Sequence, residues 1–313
     1  MTVKEYARKY DPQNQFEVLI NSYQQIEYAW NNEFNLSHID ASAINNIIVS
    51  GLGGSAISAD LLKNFLSDEL TIPYLVNRNY HLPKFADERT LFIASSYSGN
   101  TEETISALND AIKFKCKIVC ITTGGKIEEI AKSNNIDCIK LQKGFQPRYA
   151  LGLSFFSLLK LFQKLHLIDD HSEIVEKIKN NWRQNGLLFS SEDNSALNFS
   201  QKLLGFIPVI YSVSDSTASV GYRLKCQINE NSKLHAFHHE VPEMNHNEII
   251  GWESYQEKLF NSKIINIVDE TYHPQIKKRF AILKELFENS GVEILNLKSN
   301  EENFKVRLLD LIY

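Results

Sequence analysis

Short apolar runs alternate with stretches of helical periodicity through the first half of the chain. The runs predict buried strands at residues 47–50, 72–76, 91–94, 117–122 and 138–141, and a helical pattern occupies residues 11–35 ahead of them. Strands that alternate with helices over short connections predict an α/β fold, in which a parallel sheet is covered by helices on both faces. Ligands of such sheets bind beyond the carboxyl ends of the strands.

The same order of elements returns in the second half. Residues 153–203 have helical patterns. Beyond them, strands are predicted at residues 206–212, 264–268 and 292–297, with helices at 218–229 and 274–288. The repeated order indicates an old duplication of one structural unit.

A hydroxyl-rich turn joins the third predicted strand to the helix that follows it, with the sequence SSYSGNTEET over residues 95–104. Ser96, Ser98 and Thr101 supply hydroxyl donors, Gly99 lets the backbone approach closely, and a helix start attracts anions. No lysine follows the turn, which separates it from the ATP-type phosphate loop. The motif predicts a site for a small phosphate, such as that of a sugar phosphate, and a well-capped helix start is the structural alternative. The second half has no turn as rich in glycine and serine, so we expect one phosphate site per chain.

A glycine turn, GLGGSA at residues 51–56, follows the first predicted strand and fits the glycine pattern of dinucleotide-binding folds. Such folds place an acidic residue after the next strand to bind the ribose hydroxyls. This chain has Asn77, Arg78 and Asn79 there. Because Arg78 suits a 2′-phosphate, a dinucleotide site stays a minor alternative, although it does not explain the second hydroxyl turn.

Two further segments carry candidate charged residues. In QPRY, at residues 146–149, the proline fixes a turn that presents Arg148 near the same sheet edge. A fixed cation there suits a negatively charged intermediate, and a surface ion pair is the structural alternative. Glu230 ends a predicted helix among polar neighbours, so composition alone indicates a solvated helix end.

The segment HHEVPEMNHNE, at residues 238–248, is dense in histidine and glutamate. This density suggests a metal site. However, no pair has the i, i+4 spacing of a zinc helix together with a third ligand, and Pro242 interrupts the segment. A single catalytic histidine that moves a proton near neutral pH is the better functional interpretation.

Composition narrows the class of protein. The 313 residues include 33 Lys and Arg against 38 Asp and Glu, and the net charge of −5 argues against a surface for nucleic acid or anionic membrane. No run approaches the ~20 apolar residues of a membrane span, and the first residues lack a signal segment. The four cysteines form no CxxC pair and are expected as reduced thiols, so we expect a cytoplasmic protein.

Five motifs, in this order, resemble one family: GLGGSAISADLL, SSYSGNTEET, QPRYALG, QINENSK and EVPEMNHNEIIGW. Together they resemble the bifunctional phosphoglucose/phosphomannose isomerases, a branch of the sugar isomerase (SIS) domain proteins. The resemblance implies two tandem SIS subdomains, each a parallel β-sheet flanked by helices in a flavodoxin-like αβα sandwich. We assign residues 1–152 to an N-terminal helix and the first, phosphate-binding subdomain. Residues 153–313 then form connecting helices and the second subdomain, with the Glu/His segment.

The resemblance also implies roles for individual residues. Glu230 resembles the base that moves a proton between C2 and C1, Arg148 the residue that stabilises the enediolate, and His246 the residue that assists ring opening. His246 is expected to reach the site from the other subunit of an obligate homodimer. The expected phosphate-binding residues are Gly54, Ser55, Ser96, Ser98 and Thr101. The implied reaction interconverts glucose 6-phosphate or mannose 6-phosphate with fructose 6-phosphate and needs no metal or organic cofactor.

The end of the sequence departs from the family. Family members continue with a helical segment that carries a lysine for ring opening and a threonine near the sugar, whereas this sequence stops at Tyr313 within a predicted apolar helix. We interpret this as truncation; the other explanation is that His246 assists ring opening alone.

Two alternatives to the isomerase function stay open. One is a non-catalytic regulator that binds a sugar phosphate, although no helix-turn-helix or basic patch accompanies it. The other is an SIS isomerase for a pentose or heptose phosphate.

Overall fold

The structure is a computed structural model that describes residues 2–36 and 39–313, apart from the side chain of Glu257. These residues form two compact units that divide between residues 186 and 187. The division falls after the boundary at residue 152 that the sequence predicts, because the next helix packs against helices of the first unit. Among the described residues, no helix is both long enough and apolar enough to cross a membrane.

The first unit begins with three short helices, α1 (Val3–Tyr10), α2 (Gln15–Ile20) and α3 (Tyr23–Asn31). The sequence predicts one helix over residues 11–35, whereas the structure has α2 and α3 there, and short polar side chains form local hydrogen bonds at both ends of α2. At its end, the side-chain amide of Asn21 donates to the carbonyl of Glu17 at 3.0 Å. Asn14 adopts a left-handed conformation with φ 55°, and the Asp11 carboxylate accepts the N–H of Phe16 at 2.7 Å. Short polar side chains compete with helical hydrogen bonds in this way and favour turns.

A parallel five-stranded sheet forms the centre of the first unit. Its strands are β1 (Asn46–Ser50), β2 (Tyr74–Asn77), β3 (Thr90–Ser95), β4 (Lys117–Thr122) and β5 (Asp137–Lys140), in the order β2-β1-β3-β4-β5. Helices α4 (Gly53–Phe65), α5 (Glu102–Lys113) and α6 (Gly125–Ser133) follow β1, β3 and β4. The five predicted strands and the parallel α/β architecture are confirmed.

Helices also fill the predicted helical region after residue 152. They are α7 (Leu151–Lys164), α8 (Ser172–Phe189) and α9 (Ser195–Lys202). Helix α7 is buried along most of its length and packs against α3 and α4. A helix that is apolar on all sides belongs inside a protein, which is why α7 joins the core of the first unit.

The second unit contains a parallel four-stranded sheet in the order β7-β6-β8-β9. Its elements are β6 (Ile207–Val213), α10 (Ala218–Gln227), β7 (Phe237–Val241), β8 (Ser262–Ile267), α11 (Pro274–Asn289), β9 (Glu293–Leu297) and α12 (Phe304–Ile312). Three of these strands are predicted by the sequence, whereas β7 is not. Strand β7 lies at an edge of the sheet and carries His238, His239 and Glu240, so it has no apolar run to reveal it.

Candidate active site

Two turns at the carboxyl edge of the first sheet bring together hydroxyl groups that the sequence singles out. Ser55 lies in the first turn of α4, and its Oγ accepts the N–H of Tyr97, after β3, at 3.3 Å. The Oγ of Ser96 lies 2.8 Å from the Oγ1 of Thr101 and accepts the N–H of Gly99 at 3.1 Å. Ser98 is exposed on the same turn. These hydroxyls lie beside the starts of α4 and α5, where helix dipoles favour an anion.

Gly99 allows the turn after β3 to pack against the turn after β4. Its φ is +71°, and a Cβ at this position would lie 1.8 Å from the carbonyl oxygen of Gly124. The neighbouring backbone therefore excludes any side chain at Gly99. This close approach links two of the turns that form the edge of the candidate phosphate site.

Arg148 lies in a 3₁₀ turn, Pro147–Tyr149, that rests on the start of α4. A Cβ on Gly54 would lie 2.7 Å from the carbonyl oxygen of Pro147, so glycine is needed for this contact. The Arg148 guanidinium lies over the ring of Tyr149, 5.1 Å from its centroid. The structure thus places the Arg148 turn directly beside Gly54, one of the expected phosphate-binding residues.

Two residues outside the predicted site, Tyr97 and Gln25, hold this turn in place. The hydroxyl of Tyr97 donates to the carbonyl of Gln142 and accepts the N–H of Phe145, both at 2.9 Å. Gln25, on α3 and 2% exposed, donates its side-chain N–H to the carbonyl of Tyr149 at 2.7 Å. Tyr97 sits inside the recognised hydroxyl motif, which is a local indication, whereas no local pattern indicates Gln25.

Glu230 belongs to the second unit and is exposed in a π-helical turn, Ile228–Ser232, that follows α10. The Oδ1 of Asn229 accepts the N–H of Ala236 at 2.9 Å, which ties this turn to the residue just before β7. The ammonium of Lys233 donates to the carbonyl of Glu230. Glu230 therefore lies near the amino end of β7.

His246 lies beyond the carboxyl end of the same strand. It is exposed in a 3₁₀ turn, Glu243–His246, that follows β7. The N–H of Asn245 donates to the carbonyl of Pro242 at 3.1 Å and closes this turn. Within the second unit, the two predicted catalytic residues are thus brought to opposite ends of β7 and not to one place.

The adjacent histidines of β7 point to different partners. His238 Nε2 lies 2.7 Å from the Ser212 hydroxyl, and His239 Nδ1 lies 2.5 Å from a carboxylate oxygen of Glu248. Successive side chains of a strand point to opposite faces, so these two rings do not converge. Burial, together with the charges of His239 and Lys225, lowers the pKa of His238 to about 4. In the described part of the chain, no group of three or more His, Cys, Asp or Glu is arranged to hold a metal ion.

A hydrogen-bond network fixes the segment that follows His246. The other carboxylate oxygen of Glu248 accepts the hydroxyl of Tyr211 at 2.6 Å, and that hydroxyl accepts the indole N–H of Trp252 at 2.8 Å. Burial, together with the Glu248 carboxylate, raises the pKa of Tyr211, which stays protonated and donates to Glu248. The network anchors the end of this segment on β6.

The residue that a dinucleotide site would require is engaged elsewhere. Arg78, after β2, forms an ion pair with Asp60 on α4. An arginine that neutralises a carboxylate of its own unit is less suited to a 2′-phosphate. The hydroxyl turn after β3 is therefore the better-built anion site of the first unit.

Comparison with known proteins places these features in a family. Residues 192–313 match the model of the bacterial phospho-glucose isomerase C-terminal SIS domain. A bifunctional phosphoglucose/phosphomannose isomerase of Caldicellulosiruptor bescii is 41% identical over 303 residues, which cover 95% of this chain and 89% of the relative. The chain belongs to the bifunctional phosphoglucose/phosphomannose isomerase family. A member of this isomerase family from Aquifex aeolicus is 35% identical, over 88% of this chain and 82% of its own.

Solved structures support the same fold. The C-terminal domain of glucosamine-fructose-6-phosphate aminotransferase from Francisella tularensis superimposes with a TM-score of 0.64 at 14% identity. The match covers 96% of this chain and 93% of that one. At this level of identity the likeness concerns the fold, and it agrees with the tandem SIS subdomains of the isomerase family.

Proposed function

We propose that this protein is an aldose–ketose isomerase that interconverts glucose 6-phosphate and mannose 6-phosphate with fructose 6-phosphate. The observation that carries the proposal is the cluster of hydroxyls from two turns, with the Arg148 turn resting beside it on Gly54. This arrangement suits a sugar phosphate, because an anion site and a fixed cation share one sheet edge. The names of the relatives support the choice of hexose phosphates.

The phosphate would bind to Gly54, Ser55, Ser96, Ser98 and Thr101. Ser55 and Ser96 are almost completely buried and already hydrogen-bonded within the turns, so their positions are set before the ligand arrives. A phosphate held by preorganised donors supplies binding energy remote from C1 and C2, and this energy orients the reacting end of the sugar.

The isomerisation itself requires a base and a stabilised oxyanion. In the open-chain aldose, the Glu230 carboxylate would take the proton from C2, and the electrons would move to the carbonyl oxygen to form an enediolate. The Arg148 guanidinium would stabilise this developing charge. The hydroxyl proton then moves from O2 to O1, Glu230 returns its proton to C1, and the carbonyl re-forms at C2 to give the ketose. A positioned base of this kind contributes about 10²- to 10⁴-fold to the rate.

We further propose that the active unit is a homodimer in which His246 reaches the site of the partner subunit and assists ring opening. The positions of Glu230 and His246 at opposite ends of β7 support this arrangement. In a C2-symmetric dimer, each of the two sites then contains Glu230 from one subunit and His246 from the other. The cytoplasmic location expected from the sequence belongs to this proposal.

The deciding experiment is a coupled assay with glucose 6-phosphate and mannose 6-phosphate, each supplied alone, for the wild-type protein and for Glu230→Gln. We expect turnover of both sugars by the wild type and a loss of about 10²-fold or more in Glu230→Gln. Fructose 6-phosphate should still raise the melting temperature of the variant, because its phosphate site is intact. Normal turnover by Glu230→Gln would contradict the role of the base.

The same assay distinguishes the binding-only alternative. A regulator that only binds sugar phosphates would show no turnover in the wild type, while the hexose phosphate would still stabilise it against unfolding. Turnover of a pentose or heptose phosphate in place of the hexose phosphates would support the other alternative, an SIS isomerase for those sugars.

A further inference from the structure

We propose that Tyr97 is a positioning residue that ties the Arg148 turn to the phosphate-binding turn. The inference rests on the proposed isomerase function and adds a role that the motif residues themselves do not supply. It starts from the place of Tyr97 between Ser96 and Ser98, where its ring is 9% exposed and points inward while the neighbouring hydroxyls line the turn.

The backbone of Tyr97 is fixed on both sides. Its N–H donates to the Ser55 hydroxyl of α4 at 3.3 Å. Its carbonyl accepts the N–H of Thr123 at 3.1 Å and the hydroxyl of Thr123 at 2.8 Å. Any displacement of the turn by a bound phosphate would therefore move Tyr97 together with the starts of α4 and α6.

The side chain of Tyr97 carries this restraint to the next loop. Its hydroxyl bridges the carbonyl of Gln142 and the N–H of Phe145, so it holds the loop after β5 at two main-chain points. Phe145 is three residues before Arg148. Because Pro147 begins the 3₁₀ turn, the backbone between Phe145 and Arg148 has little conformational freedom. The Tyr97 hydroxyl thus limits where the guanidinium of Arg148 can lie.

The far end of the turn is held separately. Gln25 binds the carbonyl of Tyr149, and the buried Lys160 donates to the carbonyls of Trp30 and Asn32 at 2.6 and 2.8 Å, which fixes the end of α3. With one end anchored through Gln25, the hydroxyl of Tyr97 decides the position of the other end. Reacting groups gain rate only when they are held in place, so a loosened turn should lower turnover more than phosphate affinity.

The test is Tyr97→Phe, which keeps the ring and removes only the hydroxyl. We expect kcat to fall about 10-fold, with the affinity for inorganic phosphate changed less than about twofold. The matched control is Tyr74→Phe, because the Tyr74 hydroxyl donates to the carbonyl of Ala59 at 3.0 Å, outside the site. The control should lose similar thermal stability and keep its kcat.

A double-mutant cycle shows whether Tyr97 acts through Arg148. The readout is binding of 5-phospho-D-arabinonate, whose carboxylate mimics the enediolate, so it needs no residual turnover. Tyr97→Phe should weaken this binding about 10-fold in the wild type and not in Arg148→Ala. Equal weakening in both backgrounds, or an equal loss of inorganic phosphate binding, would overturn the proposal.

If the wild type turns over no hexose phosphate, the isomerase function fails. If the wild type is active and Tyr97→Phe has the same kcat, only the role of Tyr97 fails.

Discussion

Glu230 and His246 lie at opposite ends of strand β7, one in the turn before it and the other in the turn after it. The five residues of the strand, Phe237–Val241, are extended, and at ~3.3 Å per residue they cover about 13 Å. The proposed dimer, in which each site combines Glu230 of one subunit with His246 of its partner, agrees with this separation.

Complementation between inactive variants tests this arrangement. Glu230→Gln and His246→Ala should each be inactive alone. After they are mixed in equal amounts and allowed to exchange subunits, we expect about a quarter of the wild-type activity, since about half the dimers are mixed and each has one intact site. The measurement is the isomerase rate against time after mixing, with each variant incubated alone as the control. A mixture that stays inactive while mass spectrometry detects mixed dimers would refute a shared site.

Gly99→Ala should disrupt the phosphate-binding turn. A Cβ at Gly99 meets the Gly124 carbonyl oxygen at 1.8 Å, and the φ of +71° is unfavourable for alanine, so the two turns must separate. We expect a lower melting temperature and at least a tenfold loss, on the order of 1.4 kcal/mol, in affinity for inorganic phosphate. Gly251→Ala is the control, since a Cβ there meets no atom within 4 Å. Wild-type phosphate affinity in Gly99→Ala would contradict the proposed role of this contact.

The buried ion pair between Asp269 and Arg307 should hold α12 to the end of β8. Arg307 donates to the two carboxylate oxygens of Asp269 at 2.7 and 3.1 Å, and both side chains are almost completely buried. Burial alone raises the pKa of Asp269, but hydrogen bonds from Arg307 and Thr271 outweigh it and lower the pKa below its usual value.

Asp269→Asn removes the buried carboxylate and leaves the buried Arg307 with the exposed Glu270 carboxylate at 3.1 Å. The variant should therefore lower the free energy of unfolding by about 3 kcal/mol. Urea unfolding at pH 7 measures the change. The control is Lys284→Ala, whose exposed pair with Glu288 spans 3.8 Å and should contribute less than about 1 kcal/mol. Equal, small changes in both variants would show that the Asp269 pair does not stabilise this helix.

His238 should make the second unit less stable as the pH falls. Its pKa is about 4 in the folded protein, against an ordinary value of 6.5. The unfolded chain therefore binds more protons between these two pH values, and the stability decreases as the pH is lowered through this window. His238→Gln, which places an amide that does not titrate near Ser212, should flatten the slope between about pH 6.5 and pH 4. An unchanged slope in urea unfolding across this window would assign the pH dependence to other groups.

The sequence alone determined those features that depend on residues close together in the chain. Apolar runs predicted the five strands of the first sheet and three of the four in the second, since burial of a parallel strand requires contiguous apolar residues. The hydroxyl motif predicted the turn with Ser96, Ser98 and Thr101 because strand, turn and helix start lie within a few residues. Strand β7 is not predicted by the sequence, because this polar edge strand contains no apolar run.

Only the tertiary structure decided how distant segments meet. Gln25 reaches the carbonyl of Tyr149, Tyr97 reaches Phe145, and Gly99 packs on Gly124, although each pair is far apart in sequence. Such contacts depend on strand order and on the packing of helices over the sheet, which periodicity does not encode. The sequence thus determined which residues are available for binding and catalysis. The fold determined which side chains hold Arg148 in place, and it set Glu230 and His246 apart because a rigid extended strand lies between them.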